Sequence, residues 1–133
     1  MIRLMLVEPR ETVRLNVSLL IQSQFDMKLQ ASFASAEDAL QAIPGCDPQL
    51  ILVGRRLPDM DGFAFCKKVA GIYPDIRRVV LSDAIDLQTV NDAMAALVSG
   101  IVLCDDARER ALLKTIREVS VNGFYWDPNA LSV

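Results

Sequence analysis

Short apolar runs alternate with stretches whose apolar residues recur every three or four positions, and the pair repeats along the whole chain. Ile2 to Val7 is an apolar run broken only by Arg3. From Glu11 onward, Val13, Val17, Leu20 and Ile21 fall on one stripe of a helix. Residues 27–33 alternate weakly, which suits an outer strand. Ser35 stands at a helix start with Asp38 three residues on, and Ala36, Ala39, Leu40 and Ile43 form the buried face of a helix expected to stop at Pro44-Gly45. Leu50 to Val53 is apolar on both faces, as a central parallel strand covered by helices on each side must be. After a loop with Pro58 and Gly62, Phe65, Val69 and Ile72 line a third helix ended by Pro74. Val79 to Leu81 is the next buried strand. Asp86 is placed to cap a helix with the stripe Val90, Ala93, Met94 and Leu97. Ile101 to Leu103 is the fifth strand, and Leu112, Leu113, Ile116 and Val119 line a last helix ending at Asn122-Gly123.

Single strands alternating with single helices imply parallel pairing through right-handed crossovers. The expected fold is therefore α/β: a doubly wound, five-stranded parallel sheet, (βα)5, of flavodoxin-like type with strand order 2-1-3-4-5. In such a sheet any active crevice lies at the carboxyl ends of the strands. At 133 residues, 52% of them hydrophobic, the chain is one domain able to fill its own core. No apolar run approaches the roughly 18 residues of a membrane helix. The start, Met1 to Glu8, is too short and too soon acidic for a signal peptide, so a cytoplasmic location is expected.

Composition removes several function classes. There is no histidine, and Cys46, Cys66 and Cys104 form no CxxC pair, so neither a zinc site nor a Cys-His nucleophile is expected. No catalytic residue, metal or cofactor is read from the chain. The net charge is −3 with Lys and Arg scattered, so this domain is not expected to bind nucleic acid itself.

The strand ends carry the informative residues. The first strand ends Leu6-Val7-Glu8-Pro9, and the third runs on as Gly54-Arg55-Arg56-Leu57-Pro58-Asp59-Met60-Asp61-Gly62. The fourth ends Val80-Leu81-Ser82-Asp83, and the fifth reads Gly100-Ile101-Val102-Leu103-Cys104-Asp105. This arrangement resembles the receiver domain of bacterial two-component response regulators, its NarL/FixJ-like branch most closely. The resemblance covers nearly the whole chain, and the Leu-Pro-Asp-Met-Asp-Gly loop after the third strand is its most specific element. The tail Asn122-Gly-Phe-Tyr-Trp-Asp-Pro128 is similar to the end of the receiver in that branch, just before a linker to a helix-turn-helix domain. Residues 1–124 are accordingly expected to form the receiver-like domain and residues 125–133 the start of a C-terminal linker.

The resemblance also exposes departures. The position matching the phosphoacceptor aspartate is Gly54, which has no side chain to phosphorylate. Glu8 keeps the first acid of the metal-binding pair, but Pro9 stands at the second, a poor offer to Mg²⁺. Cys104 stands where the family has lysine, Asp83 where it prefers a small residue beside Ser82, and Ile101 where it has the aromatic that swings inward on activation. Ser82 is either the surviving switch hydroxyl or a simple loop cap. Arg55 and Arg56 are expected at the mouth of the vacated pocket near Glu8, as solvated charge, as a weak ion pair or as an anion site. Asp59 and Asp61 are expected to serve turn and cap geometry.

Three functions remain. The first is an atypical receiver acting without phosphorylation as an interaction and dimerisation module, the regulatory half of a transcriptional regulator. Its homodimer face, as the resemblance implies, is made by the fourth helix, fifth strand and fifth helix, with Val90, Met94, Leu97, Ile101, Arg110 and Arg117 as contacts. Arg108 and the Phe124-Tyr125-Trp126 tail stand nearby. The second is phosphorylation at a displaced acceptor, Asp83 or Asp59. The third is a small-molecule domain of flavodoxin type.

Overall fold

Strands and helices alternate as β1 (Ile2–Val7), α1 (Glu11–Gln22), β2 (Met27–Phe33), α2 (Ala36–Cys46), β3 (Leu50–Gly54), α3 (Gly62–Ile72), β4 (Arg77–Ser82), α4 (Leu87–Ala95), β5 (Gly100–Leu103) and α5 (Glu109–Asn122). The computed structural model describes residues 1–104 and 109–126. All strands pair in parallel, in the order β2-β1-β3-β4-β5. No helix among the described residues is long and apolar enough to cross a membrane.

The period-2 alternation of the strands divides the core in two. Leu4, Leu6, Leu50, Leu52, Val79, Leu81 and Val102 face α1 and α5, whereas Met5, Val7, Ile51, Val53, Val80 and Ile101 face α2, α3 and α4. β3 is buried along its whole length, as its unbroken apolar run requires. The weak alternation of β2 has a cause: register slips between Leu4 and Met5, which face Leu29 and Ala31, so Gln30 is an unpaired bulge. Three side-chain caps start helices as their sequences indicate. Ser35 Oγ accepts the Asp38 N–H (3.3 Å), Asp61 Oδ1 the Phe63 N–H (2.7 Å) and Asp86 Oδ1 the Thr89 N–H (2.8 Å). At the far end of α5, Gly123 takes φ +81° and donates its N–H to the Val119 carbonyl.

Several expectations are corrected. α2 does not stop at Pro44-Gly45 but runs through Pro44 to Cys46, because a proline in the last turn removes only one backbone donor. It closes on Asp47, left-handed at φ 50°, whose N–H reaches the Ile43 carbonyl. Ile72 ends α3 at 55% exposure rather than on its buried face. α4 ends at Ala95, before Leu97. Leu97 takes φ 60° and closes a Schellman turn: its N–H meets the Met94 carbonyl (3.2 Å) and the Val98 N–H meets that of Ala93 (3.3 Å). That position favours glycine, and a leucine there costs about 1–2 kcal/mol. Met94 and Leu97 are each 64% exposed, so the buried face of α4 is Thr89 and Ala93.

Residues 125 and 126, expected to begin the linker, make contacts with the sheet. The Tyr125 N–H bonds the Ser99 carbonyl (2.9 Å), Tyr125 packs on the α1/α5 side of the sheet, and Trp126 packs on the other side. Arg108, Asp105 and the tail beyond Trp126 lie outside the described residues.

Candidate functional site

β1, β3, β4 and β5 deliver Glu8, Gly54, Ser82 and Cys104 to the carboxyl edge of the sheet, as the strand boundaries require. The residue that organises them is Arg10. Glu8 is 1% exposed, and Arg10 satisfies both its oxygens. Arg10 Nη2 reaches Oε1 at 3.0 Å, while its backbone N–H and Nε reach Oε2 at 2.7 and 3.3 Å. The remaining arm of the same guanidinium, Nη1, donates to Asp83 Oδ1 at 2.7 Å. Arg10 thus ties the β1–α1 loop to the β4–α4 loop. The Glu8 carboxylate, chiefly by hydrogen bonding, and then Asp83 hold the Arg10 guanidinium well above its ordinary pKa, against the effect of its own burial. Arg14 Nη1 adds a bond to the Glu8 carbonyl (2.8 Å).

Gly54 lies directly beneath this cluster. A Cβ there would sit 2.8 Å from Glu8 Oε1 and 3.2 Å from Glu8 Cδ, so Glu8 already fills the volume into which a side chain at 54 would grow. Gly62 is equally enclosed: its Cβ would run into the Gly54 and Arg55 carbonyls, which explains the glycine after Asp61. Ser82 is fully buried and donates its hydroxyl to the Ala84 carbonyl (2.6 Å), the loop-cap role. Cys104 is half-buried; burial pushes its thiol pKa up, with Arg10 pulling the other way. Pro9 contributes no side-chain ligand.

Arg55 and Arg56 are not the partners of Glu8. Arg55 Nη1 donates to Thr89 Oγ1 (3.0 Å), and its guanidinium lies 5.4 Å above the Phe63 ring. Arg56 is exposed and bridges Asp61 through the backbone. Both arginines, with Glu8, Arg10, Asp83 and Ala84, line a cavity of about 210 Å³. Asp59 is not at the crevice chemistry at all: it accepts the Ala36 and Glu37 N–H groups (3.0 and 2.9 Å) and caps α2 from across the loop. Those bonds hold its carboxyl below the usual range.

The Mg²⁺ ion that the resemblance implies does not fit these residues. Arg10 occupies both oxygens of Glu8, and neither Pro9 nor Gly54 has a side-chain oxygen. Among the described residues no group of three or more His, Cys, Asp or Glu could hold a metal.

Two of the expected interface residues are elsewhere. Ile101 is fully buried in the core between β5 and the α3/α4 layer, because its position in the alternation turns it inward. Arg117 turns toward the α1–β2 loop and clamps Asp26 with two bonds (2.8 and 3.0 Å), adding Gln24, so its charge is engaged there. Arg110 is exposed on α5, and Val90 is half-buried on α4.

A family model described as response regulator receiver domain matches residues 4–117. The DNA-binding transcriptional activator DevR/DosR of Mycobacterium tuberculosis is 25% identical over 130 residues, 98% of this chain and 59% of that protein. The chain spans between 46% and 62% of the length of the curated relatives it matches. The isolated receiver domain of Salmonella enterica RcsB, solved with the phosphomimetic BeF3⁻, superposes with a TM-score of 0.87 at 13% identity, covering 97% of this chain and 95% of that one. A structure of two RcsB dimers bound to two parallel DNAs superposes at 0.88 with 14% identity, over 97% of this chain and 65% of that one. At these identities the superpositions speak for the fold.

Proposed function

The chain belongs to the response regulator receiver domain family, and from that premise we propose that it is an atypical receiver that works without phosphorylation, as a protein-interaction module regulating a C-terminal DNA-binding domain. One observation carries the reading: at Gly54, the position that the resemblance matches to the phosphoacceptor, the space a side chain would take is filled by Glu8, itself neutralised by Arg10. The cavity that remains beside the Glu8–Arg10 pair offers neither a nucleophile at residue 54 nor a set of metal ligands. The displaced-acceptor alternative has little to draw on, since Asp59 is spent capping α2 and Asp83 is paired with Arg10. The purified domain is expected to take up no phosphoryl group from acetyl phosphate, with or without Mg²⁺. A mass gain of one phosphoryl group on any aspartate, or a stoichiometric beryllofluoride adduct, would refute this.

Support for a DNA-binding output half comes from the relatives, whose names describe response regulators and a DNA-binding activator. For self-association we propose the α4–β5–α5 face, carried by apolar contacts rather than by the arginines. Leu87 (77% exposed) and Met94 on α4, and Leu97 in its closing turn, are the exposed apolar side chains there. Exposed ion pairs contribute only about 0–1 kcal/mol each, so charge at Arg110 cannot hold a dimer alone. Sedimentation at micromolar concentration is expected to show a dimer indifferent to phosphodonors, with Met94→Glu weakening it about tenfold or more, equivalent to about 1.4 kcal/mol. A strictly monomeric wild type would remove the homodimer reading.

A further inference from the structure

The turn that ends α4 and the tail that leaves α5 meet at one residue. Ser99 donates its N–H to the Arg78 carbonyl (2.7 Å), its Oγ accepts the Arg78 N–H (3.0 Å), and its own carbonyl accepts the Tyr125 N–H (2.9 Å). Two residues earlier, the Leu97 carbonyl accepts from Arg78 Nη2 at 2.9 Å, while Nη1 of the same guanidinium holds the Ile76 carbonyl. Arg78 is 8% exposed, and among the described residues no carboxylate pairs with it. A buried guanidinium ordinarily needs a counter-charge. This one instead ties a carbonyl of the α3–β4 loop, Ile76, to one in the α4–β5 turn, Leu97.

The tail depends on the same place. Gly100 follows Ser99, and a Cβ on it would stand 2.6 Å from the Tyr125 carbonyl oxygen, so the tail lies against β5 only because residue 100 has no side chain. Tyr125 and Trp126 then straddle the edge strand, one in each half of the core, with Lys114 5.8 Å from the Tyr125 ring centroid and Phe124 stacked on Trp126 at 6.0 Å. At the other end of this short path Leu97 is 64% exposed and held at φ 60°, a backbone region that leucine disfavours. A contact that lets Leu97 leave that region has strain to release, and Ser99 is two residues away.

We propose that Arg78 and Ser99 join the α4–β5 turn and the Phe124–Trp126 strap into one latch, so that displacing Leu97 at the surface moves the strap and any chain that follows it. The latch bypasses the crevice at Glu8 and Gly54. It goes beyond the dimer reading, because it operates whatever protein touches Leu97, and it survives failure of that reading. A receiver without a phosphate signal still needs something that two of its states bind unequally, and this turn supplies a place for it.

Trp126 is the chain's one tryptophan, so the strap carries its own reporter. In the 133-residue chain, Gly100→Ala is expected to release the strap: Trp126 emission shifts to the red, acrylamide quenches it more strongly, and amide exchange at Leu97, Val98 and Ser99 quickens in step. Exchange in β1 and β3 is expected to stay slow. Tyr125→Pro, which removes the donor without adding bulk to the core, is expected to do the same and decides the matter if Gly100→Ala loosens the whole sheet. A strap that leaves while the 97–99 amides keep their protection would overturn the proposal. So would a Trp126 that stays as buried in Tyr125→Pro as in the wild type.

Discussion

Gly54→Asp is expected to restore no phosphorylation and to destabilise the domain by about 1–3 kcal/mol, the range of substitutions that bury an unpaired charge or overpack a core. The steric part is unavoidable: the new Cβ starts 2.8 Å from Glu8 Oε1, so Glu8 or the β3–α3 loop must move. The electrostatic part adds to it. A second carboxylate beside one that is 1% exposed raises the free energy of having both ionised. Arg10 is already divided between Glu8 and Asp83, and Arg55 or Arg56, which line the same cavity, offsets part of the repulsion if it turns inward. Urea denaturation and intact mass after acetyl phosphate with Mg²⁺ read the two halves. Adding Glu8→Asp, which withdraws the carboxylate by one methylene, should recover part of the stability and still give no phosphoprotein. Stoichiometric phosphorylation of the single variant would mean that the nucleophile alone was missing and that Pro9 and Cys104 matter little.

Arg10→Ala is expected to be about as damaging, for the opposite reason. Removing one partner of a fully buried pair costs about 3–5 kcal/mol, because the other charge is left unpaired. Here Glu8 is buried but Arg10 is 44% exposed, so water can replace part of the lost interaction and about 2–3 kcal/mol is expected. For a domain of this size that lowers the melting temperature by roughly 6–12 °C. Asp83, 67% exposed, adds little to the sum. Arg10→Lys keeps the charge without the fork that reaches two oxygens at once, and should fall between wild type and alanine. Arg10→Ala with Glu8→Gln should regain most of the loss, since no buried charge remains. If Arg10→Ala melts with the wild type, the pair is not what neutralises Glu8.

The Gly54→Asp outcome follows in part from the sequence, which sets Gly54, Pro9 and Cys104 where the resemblance implies the phosphorylation site, whereas nothing in the sequence marks Arg10. The alternation of periods was enough for five strands, five helices, parallel pairing and the order 2-1-3-4-5, and Ser35, Asp61 and Asp86 mark their helix starts openly. Those signals are local: a cap or an amphipathic stripe is an interaction between residues one to four apart, and its partner is written beside it. Gly54 at the end of β3 was equally legible, because a missing side chain needs no structure to be noticed.

What filled the space was not. Arg10 stood two residues from Glu8, yet it also bonds Asp83, 73 residues away, and only the pairing of β1 with β3 and of β3 with β4 brings the two loops together. The same holds for Arg117, which finds Asp26 across 91 residues and so has its charge engaged there. Leu97 continued the stripe of α4 on paper, but a Schellman turn, held by buried Ala93 and Val98 and braced by Arg78, ended the helix two residues earlier. Ile101 was turned inward by the alternation that made β5 recognisable. Periodicity determined which elements form and in what order, because each element is stabilised by its own neighbours. The ion pairs, the turn and the tail docked beside Gly100 were decided by tertiary structure, because a long side chain or a backbone N–H bonds whatever the fold places within about 3 Å.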